Sequence, residues 1–269
     1  MKWYCIPERY DCIDAHNHVW GGSNNGPLNV EQTKQLLYSA DCLGIRKLCV
    51  SYPITKPGVT VEAMRYVNDI VIEAMKFSDR LIGFCFVDAA LGQPAVDEVR
   101  RCIVEHGMAG IKMYHQQFLE DDVQAPVMEL AAELGVPVLM HAGKCTDPAT
   151  MAAQPYLSNA ANFLKAVKKF PNTTFIQGHI GGGGDWEWNL RMLEEMDSDN
   201  YFIDISGSVI DAGIVRRTVN AIGIDHVLFA TDCSMEEGVG KVQAADLSDD
   251  EYMKLFSGNM KRIFARRRV

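Results

Sequence analysis

The sequence predicts a (β/α)8 barrel of the TIM type, and two observations carry that prediction. Eight short apolar runs of strand length alternate with longer segments whose apolar residues recur every three or four positions. The length, 269 residues, matches the ~250 typical of that fold. Regular alternation of strand and helix implies parallel strands joined by helical crossovers. Eight repeats in this length favour a closed barrel over an open sheet.

The predicted strands are 12–15, 47–51, 81–87, 110–113, 137–140, 174–177, 202–205 and 227–230. Residues 1–10 precede them as an N-terminal extension. After the first strand, Val30, Leu36, Leu37, Ala40 and Leu43 share one helical face, and Gly44 supplies the stop. Val127, Leu130, Ala131 and Leu134 repeat the pattern before Gly135. Asp185 is placed to cap a helix over 186–196, and residues 249–267 form the last helix. The whole chain, 1–269, is thereby read as one barrel domain.

Composition narrows the function classes. Hydrophobic residues at 48% and charged residues at 23% exclude a disordered or fibrous chain. A net charge of −9 makes sequence-independent binding to nucleic-acid phosphates unfavourable, and Arg266, Arg267 and Arg268 read as a solvated helix end. No apolar run approaches the ~20 residues of a membrane span, and the N-terminus has no signal-peptide pattern. None of the eight cysteines forms a CxxC pair. Cys12, Cys49 and Cys85 fall in apolar strands, and Cys42 and Cys102 in helical patterns. The expectation is free thiols in a reducing cytoplasm, no nucleic-acid or membrane partner, and a homodimer only on base rates.

In such a barrel the active site lies at the C-terminal ends of the strands. Strand one ends Asp14-Ala15-His16-Asn17-His18, and alternation puts both imidazoles on one face, where they can share one ion at ~2.0–2.1 Å. Strand four ends on Lys112-Met113-Tyr114, strand five on His141, strand six on His179 and strand eight on Asp232. Four of the seven histidines thus fall at strand ends, a coincidence that points to a metal site. His106 and His226 do not belong to it.

These residues resemble the amidohydrolase superfamily, and the surrounding phrases resemble its amidohydrolase-related branch. The phrases are Gly110-Ile111-Lys112, Pro137 to Gly143, Gly178 to Gly182, Leu228 to Asp232 and Gly258-Asn259. The resemblance implies a divalent metal, zinc as first choice, held by His16, His18, His141 and Asp232. In a one-metal site it implies that His179 orients water or substrate. In a two-metal site His141 and His179 hold the second ion, and a carboxylated Lys112 bridges both. Burial beside cations lowers a lysine's pKa and frees the amine for carbamate formation. An unmodified Lys112 that binds an anionic group or caps a strand end is the other reading.

A divalent ion lowers the pKa of bound water to about 7, and Asp232 is the expected general base. The sequence favours hydrolysis of a small amide, ester or lactone. Decarboxylation of a small aromatic or unsaturated acid is the alternative. It wants a cationic clamp, and the loops after the strands offer only Lys56 and Lys144. A catalytically silent barrel that only binds is the third reading. Trp20, Tyr52, Tyr114, His115 and Lys144 are candidates for the substrate pocket, and Ser206 and Ser208 for hydrogen bonds to substrate. Gly181 to Gly184 read as a flexible entry to the next helix. Cys145 and Cys233 read as small neighbours of the site rather than reactive groups.

Overall fold

The computed structural model describes residues 5–180, 184–207 and 213–269. Eight parallel strands form one sheet in chain order: β1 (Ile13–His18), β2 (Lys47–Ser51), β3 (Leu81–Phe86), β4 (Gly110–Met113), β5 (Val138–Met140), β6 (Phe175–Gln177), β7 (Tyr201–Asp204) and β8 (Val227–Leu228). Two backbone bonds carry the sheet round from β8 to β1: Ala15 N to Phe229 O at 2.9 Å and Asp232 N to His16 O at 2.8 Å. The chain is a (β/α)8 barrel.

The crossovers are α1 (Val30–Leu43), α2 (Val61–Phe77), α3 (Gln93–Arg100), α4 (Ala125–Leu134), α5 (Pro148–Ala153), α6 (Ala160–Lys169), α7 (Trp186–Leu193) and α8 (Ile214–Ile222), followed by α9 (Met235–Ala244), α10 (Asp249–Met253) and α11 (Asn259–Phe264). Local chemistry sets their ends. Asn29 accepts from Gln32 N at the start of α1. Gly44 ends it at φ 77°, where a side chain would also meet Ile6 O at 2.2 Å. Asp185 caps α7 by accepting from Trp188 N.

The structure refines three expectations. The face predicted for α1 is only partly buried: Ala40 is enclosed, whereas Val30 is 40% exposed. The last helix is unbroken over 249–264 but not regular, because a π-helical turn over Lys254–Gly258 lies between α10 and α11. That wider turn places Asn259 so that its amide donates to Ile224 O and Val227 O and pins α11 beneath β8. Residues 5–10 of the N-terminal extension pack onto the barrel, with Ile6 and Tyr10 both buried, Tyr10 against Phe256.

The barrel lumen below the site is filled by Ile13, Phe84, Leu139, Ile176, Phe202 and Leu228, with Met260 and Ile263 of α11. A second, larger apolar layer packs the strands against the helices. The lumen is therefore a floor that presses the polar strand ends toward one mouth. All eight cysteines are free thiols; Cys12, Cys49, Cys85 and Cys102 are buried and Cys42 is exposed. No helix among the described residues is long and apolar enough to cross a membrane.

Candidate metal centre and active site

β1 carries a register shift between Asp14 and Asn17, a bulge that re-aims the following side chains. His16 and His18 consequently converge on Asp232 at the end of β8. His18 Nε2 lies 2.9 Å and His16 Nε2 3.8 Å from Asp232 Oδ1. The ligand atoms of the three residues lie within 4.8 Å of one another. Four ligands at ~2.0–2.1 Å around a tetrahedral ion stand about 3.4 Å apart, so this set fits a divalent cation.

The geometry of His16 is held from both sides. Asp204 Oδ2 takes Nδ1 at 2.8 Å, which turns Nε2 toward the mouth. Asp14 Oδ1 accepts the His16 backbone N–H and that of Thr231. Gly178 supplies room, since a Cβ there would lie 3.0 Å from Met140 O and 3.3 Å from the His16 ring. Asp204 also accepts from His179 N, Ser206 N and Ser206 Oγ. A carboxylate so fully engaged orients ligands rather than binding an ion itself, although it forms a second close group with His16 and His179.

Backbone conformation is unusual at the same place. His179 (φ 73°), Asp232 (φ 47°) and Cys233 (φ 65°) all occupy the left-handed region. Each costs of order 1 kcal/mol or more for a non-glycine residue, and such strain clusters at functional sites.

Charge follows burial. Burial pulls the imidazoles of His18 and His179 down to about 4 and His141 well below its usual value; neutral imidazole is the form that ligates metals. Burial also brings the Lys112 ammonium down to about 8, against the pull of Asp232 and Asp204. Burial opposes ionisation of Asp232, but the facing His16, His18 and His179 outweigh it and hold the carboxyl well below the usual range. Asp14 goes the other way, raised to about 6 by burial despite its hydrogen bonds.

Lys112 is fully buried, with Nζ 2.7 Å from His16 Nε2. An imidazole nitrogen has one lone pair, so the amine and an ion compete for the same atom. His141 is not brought into either three-ligand group among the described residues. Its Nδ1 meets His179 Nε2 at 2.8 Å and its Nε2 meets Gln154 Oε1 at 3.2 Å. Tyr114 stacks on the same ring at 4.0 Å. Trp20 lies 5.5 Å from the His18 ring, with Tyr52 edge-on behind it. A groove of about 430 Å³ runs from His18 and Asp232 past Trp20 to Gln32 and Glu236.

Other expected positions fall elsewhere. Lys144 is not aimed at the metal ligands, because its ammonium lies 4.7 Å over the Trp188 ring. His115 lines a separate cavity. Cys233 is exposed beside Asp232, and Cys145 is half-buried. Ser206 meets His179 Nδ1 at 2.9 Å. Ser208 and Gly181 to Gly183 lie outside the described residues. Sequence reasoning missed Asp204 and Gln154. Asp204 carried a usable signal, an acid at the end of a predicted strand; Gln154, just past α5, carried none.

The similarities to known proteins come last. A hydratase of 2-keto-4-carboxy-3-hexenedioate from Sphingobium sp. (strain NBRC 103272 / SYK-6) is 26% identical over 211 residues, covering 64% of this chain and 61% of the relative. A 2-amino-3-carboxymuconate-6-semialdehyde decarboxylase from Dictyostelium discoideum is 25% identical over 155 residues, covering 52% of this chain and 43% of the relative. The matched stretch is thus less than two thirds of either relative's length. A dihydroxybenzoic acid decarboxylase structure from Polaromonas sp. JS666, with bound manganese and 2-nitroresorcinol, superposes with a TM-score of 0.71 at 17% identity, over 96% of this chain and 98% of that one; this likeness speaks for the fold. The family model described as Amidohydrolase matches residues 13–266, and the chain belongs to the amidohydrolase family.

Proposed function

We propose that the chain is a metal-dependent lyase that removes a carboxylate from a small unsaturated or aromatic acid. The observation that carries the reading is the convergence of His16, His18 and Asp232 on one point. The names of both sequence relatives support the substrate class, since each is an unsaturated carboxylate. This reverses the order drawn from sequence, which put hydrolysis first.

His16, His18 and Asp232 would hold the ion, with His141 reaching it only by leaving Gln154. The ion, when bound, supplies a positive centre for an oxyanion. The donor set suits zinc, manganese or another first-row ion alike. The chain's own residues do the rest. Asp204 and Asp14 keep His16 facing the mouth. Trp20 lines the groove and is backed by Tyr52. Asp232, its Oδ2 3.9 Å from His179 Nδ1, is the proton carrier. In decarboxylation the carbon–carboxylate bond breaks, its electron pair stays on the substrate carbon, and a proton is delivered there. Lys112, as an unmodified amine, faces the carboxylate being lost.

Hydrolysis of an ester, amide or lactone is the second reading. It is favoured by one observation: among the described residues no arginine lines the groove beside His18 and Asp232. There Asp232 would take its proton from water instead.

The test is a mass balance. The purified protein, loaded with Mn²⁺ or Zn²⁺, is incubated with 2,6-dihydroxybenzoate, an unsaturated dicarboxylate and a small lactone. Release of CO2 that stops on chelation and returns with metal supports the proposal. A product heavier by one water, with no CO2, would replace it by hydrolysis or hydration. Tight metal binding with no turnover on any member would favour the silent barrel.

A further inference from the structure

One ring layer away from the metal ligands lies a second cavity, of about 450 Å³. The Tyr114 ring separates the two, at 4.0 Å from His141 and 4.7 Å from His115. The polar wall of the cavity is Asp88, His115, Gln116 and Gln117, and among the described residues neither lysine nor arginine lines it. Its apolar wall includes Val59, Leu91 and the half-exposed Tyr156.

Two of these groups are unusual. Asp88 is a carboxylate only 6% exposed, yet its partners are both neutral. Oδ1 accepts from Ala90 N at 3.0 Å and from Gln117 Nε2 at 2.9 Å. The first bond is an ordinary cap on the short turn that follows, and both bonds fall on Oδ1 of a residue that lines the cavity. A buried carboxylate without a cation is costly. His115 is 7% exposed, and neither ring nitrogen bonds the side chain of another described residue. Gln116 spends an N–H on Ile54 O, and Gln117 spends one on Asp88. What remains on the wall is rich in acceptors and carries one negative charge.

We propose that this cavity is a second ligand site, for a protonated primary amine on a small apolar or aromatic body. The ammonium bonds Asp88 Oδ2 and the glutamine carbonyls, which supply the desolvated charge pair and its hydrogen bonds. His115 accepts through its free nitrogen. The ring of the ligand packs between Leu91 and Tyr156, where an aromatic contact adds to the affinity. A carboxylate ligand is excluded by Asp88. The assignment does not depend on the reaction run at the metal centre.

The experiment uses the intact protein and three probes of one shape: benzylamine, benzyl alcohol and benzoate. Calorimetry is paired with NMR of the histidine rings. Benzylamine is expected to bind saturably, about tenfold or more tighter than benzyl alcohol, with benzoate not binding at this site. The His115 ring resonance should shift, and those of His18 and His179 should not. Asp88→Asn should weaken benzylamine by about tenfold or more. Tyr156→Ala, at a half-exposed position that leaves the core intact, should weaken it severalfold. Benzoate binding as tightly as benzylamine, an unchanged affinity in Asp88→Asn, or shifts at His18 and His179 alone would each overturn the site. If Asp88→Asn does not fold, the probe series and the His115 shift on the unaltered protein still decide.

Discussion

Two buried polar clusters in this barrel obey different rules. One lies between α2, α3 and β3. Glu98, fully buried, accepts from Asn68 Nδ2, Arg101 Nε, Arg101 Nη2 and Cys102 Sγ. Asn68 also bonds both the N–H and the carbonyl of Phe86. Every strong group is used, and Arg101 neutralises the charge. The other cluster is the strand-end site. Its lower half is closed in the same manner, with Asp204 taking four donors. Its upper half is not: His16 Nε2, His18 Nε2 and Asp232 Oδ1 crowd one point, with Asp232 on strained backbone and Lys112 Nζ pressed against His16. A network that closes on itself holds a fold together. One left open toward the mouth is arranged for something that arrives later.

The sharpest way to break this comparison is to remove a member from each cluster. His16→Ala and Asp232→Asn should each lower activity by about a thousandfold or more, and abolish stoichiometric metal on the purified protein. Thermal stability without metal should stay close to the parent or rise in Asp232→Asn, because crowded groups are relieved, whereas His16→Ala also takes a partner from buried Asp204 and should be less stable. Normal turnover in either variant would overturn the site. Glu98→Ala should do the reverse. It takes the acceptor from Arg101 Nε and one from Asn68, while Asp69 and Phe86 still hold the rest of each group; the cost should be about 2–3 kcal/mol, at or below the low end for cutting one partner from a buried pair, read as a drop in the urea midpoint. Metal content per folded chain should not change. A destabilisation under about 1 kcal/mol would mean that the cluster is a bystander.

The same contrast explains what the sequence made legible. His16, His18, Lys112, His179 and Asp232 could be named because strand C-termini face the mouth of a barrel, and a chemical residue there is visible without coordinates. Strand limits were read to within about two residues of β2 to β8. Asp204 shows how much such an error matters. Ending strand seven at Ile205 rather than Asp204 moved attention to Ser206 and past the carboxylate that fixes His16. Gln154 and the Glu98 cluster were not legible, because both depend on where a crossover returns in space. Glu98, Arg101 and Cys102 read as an ordinary helix surface until α2 covers them. The direction of Lys144 was not legible for a related reason: a long cationic side chain in a loop can turn to an aromatic face, here Trp188.

A finer cut tests the closed half of the site. Asp204→Asn keeps the shape but removes the charge behind His16. It should cost about 10–100-fold in metal affinity, measured by competition with a chelator, with a smaller loss of activity once metal is in excess. If affinity is unchanged, Asp204 belongs with Glu98 as part of the scaffold.

The smallest effect expected is a pH dependence of stability confined to the Glu98 cluster. Burial alone would raise the Glu98 carboxyl, but the Arg101 and Asn68 hydrogen bonds prevail and hold it below its usual 4.5. A carboxylate lowered on folding stabilises the protein fully above its unfolded value, and that stability fades as pH falls through the lower folded one. The parent should therefore lose stability between neutral pH and pH ~4 by more than Glu98→Gln does, because glutamine has no proton to gain. The difference of differences, from urea melts of both proteins at both pH values, cancels the other carboxylates. A difference of zero would mean that geometry rather than charge closes the Glu98 cluster. The crowding of ligand atoms around Asp232 would then be what sets the strand-end mouth apart from the Glu98 cluster.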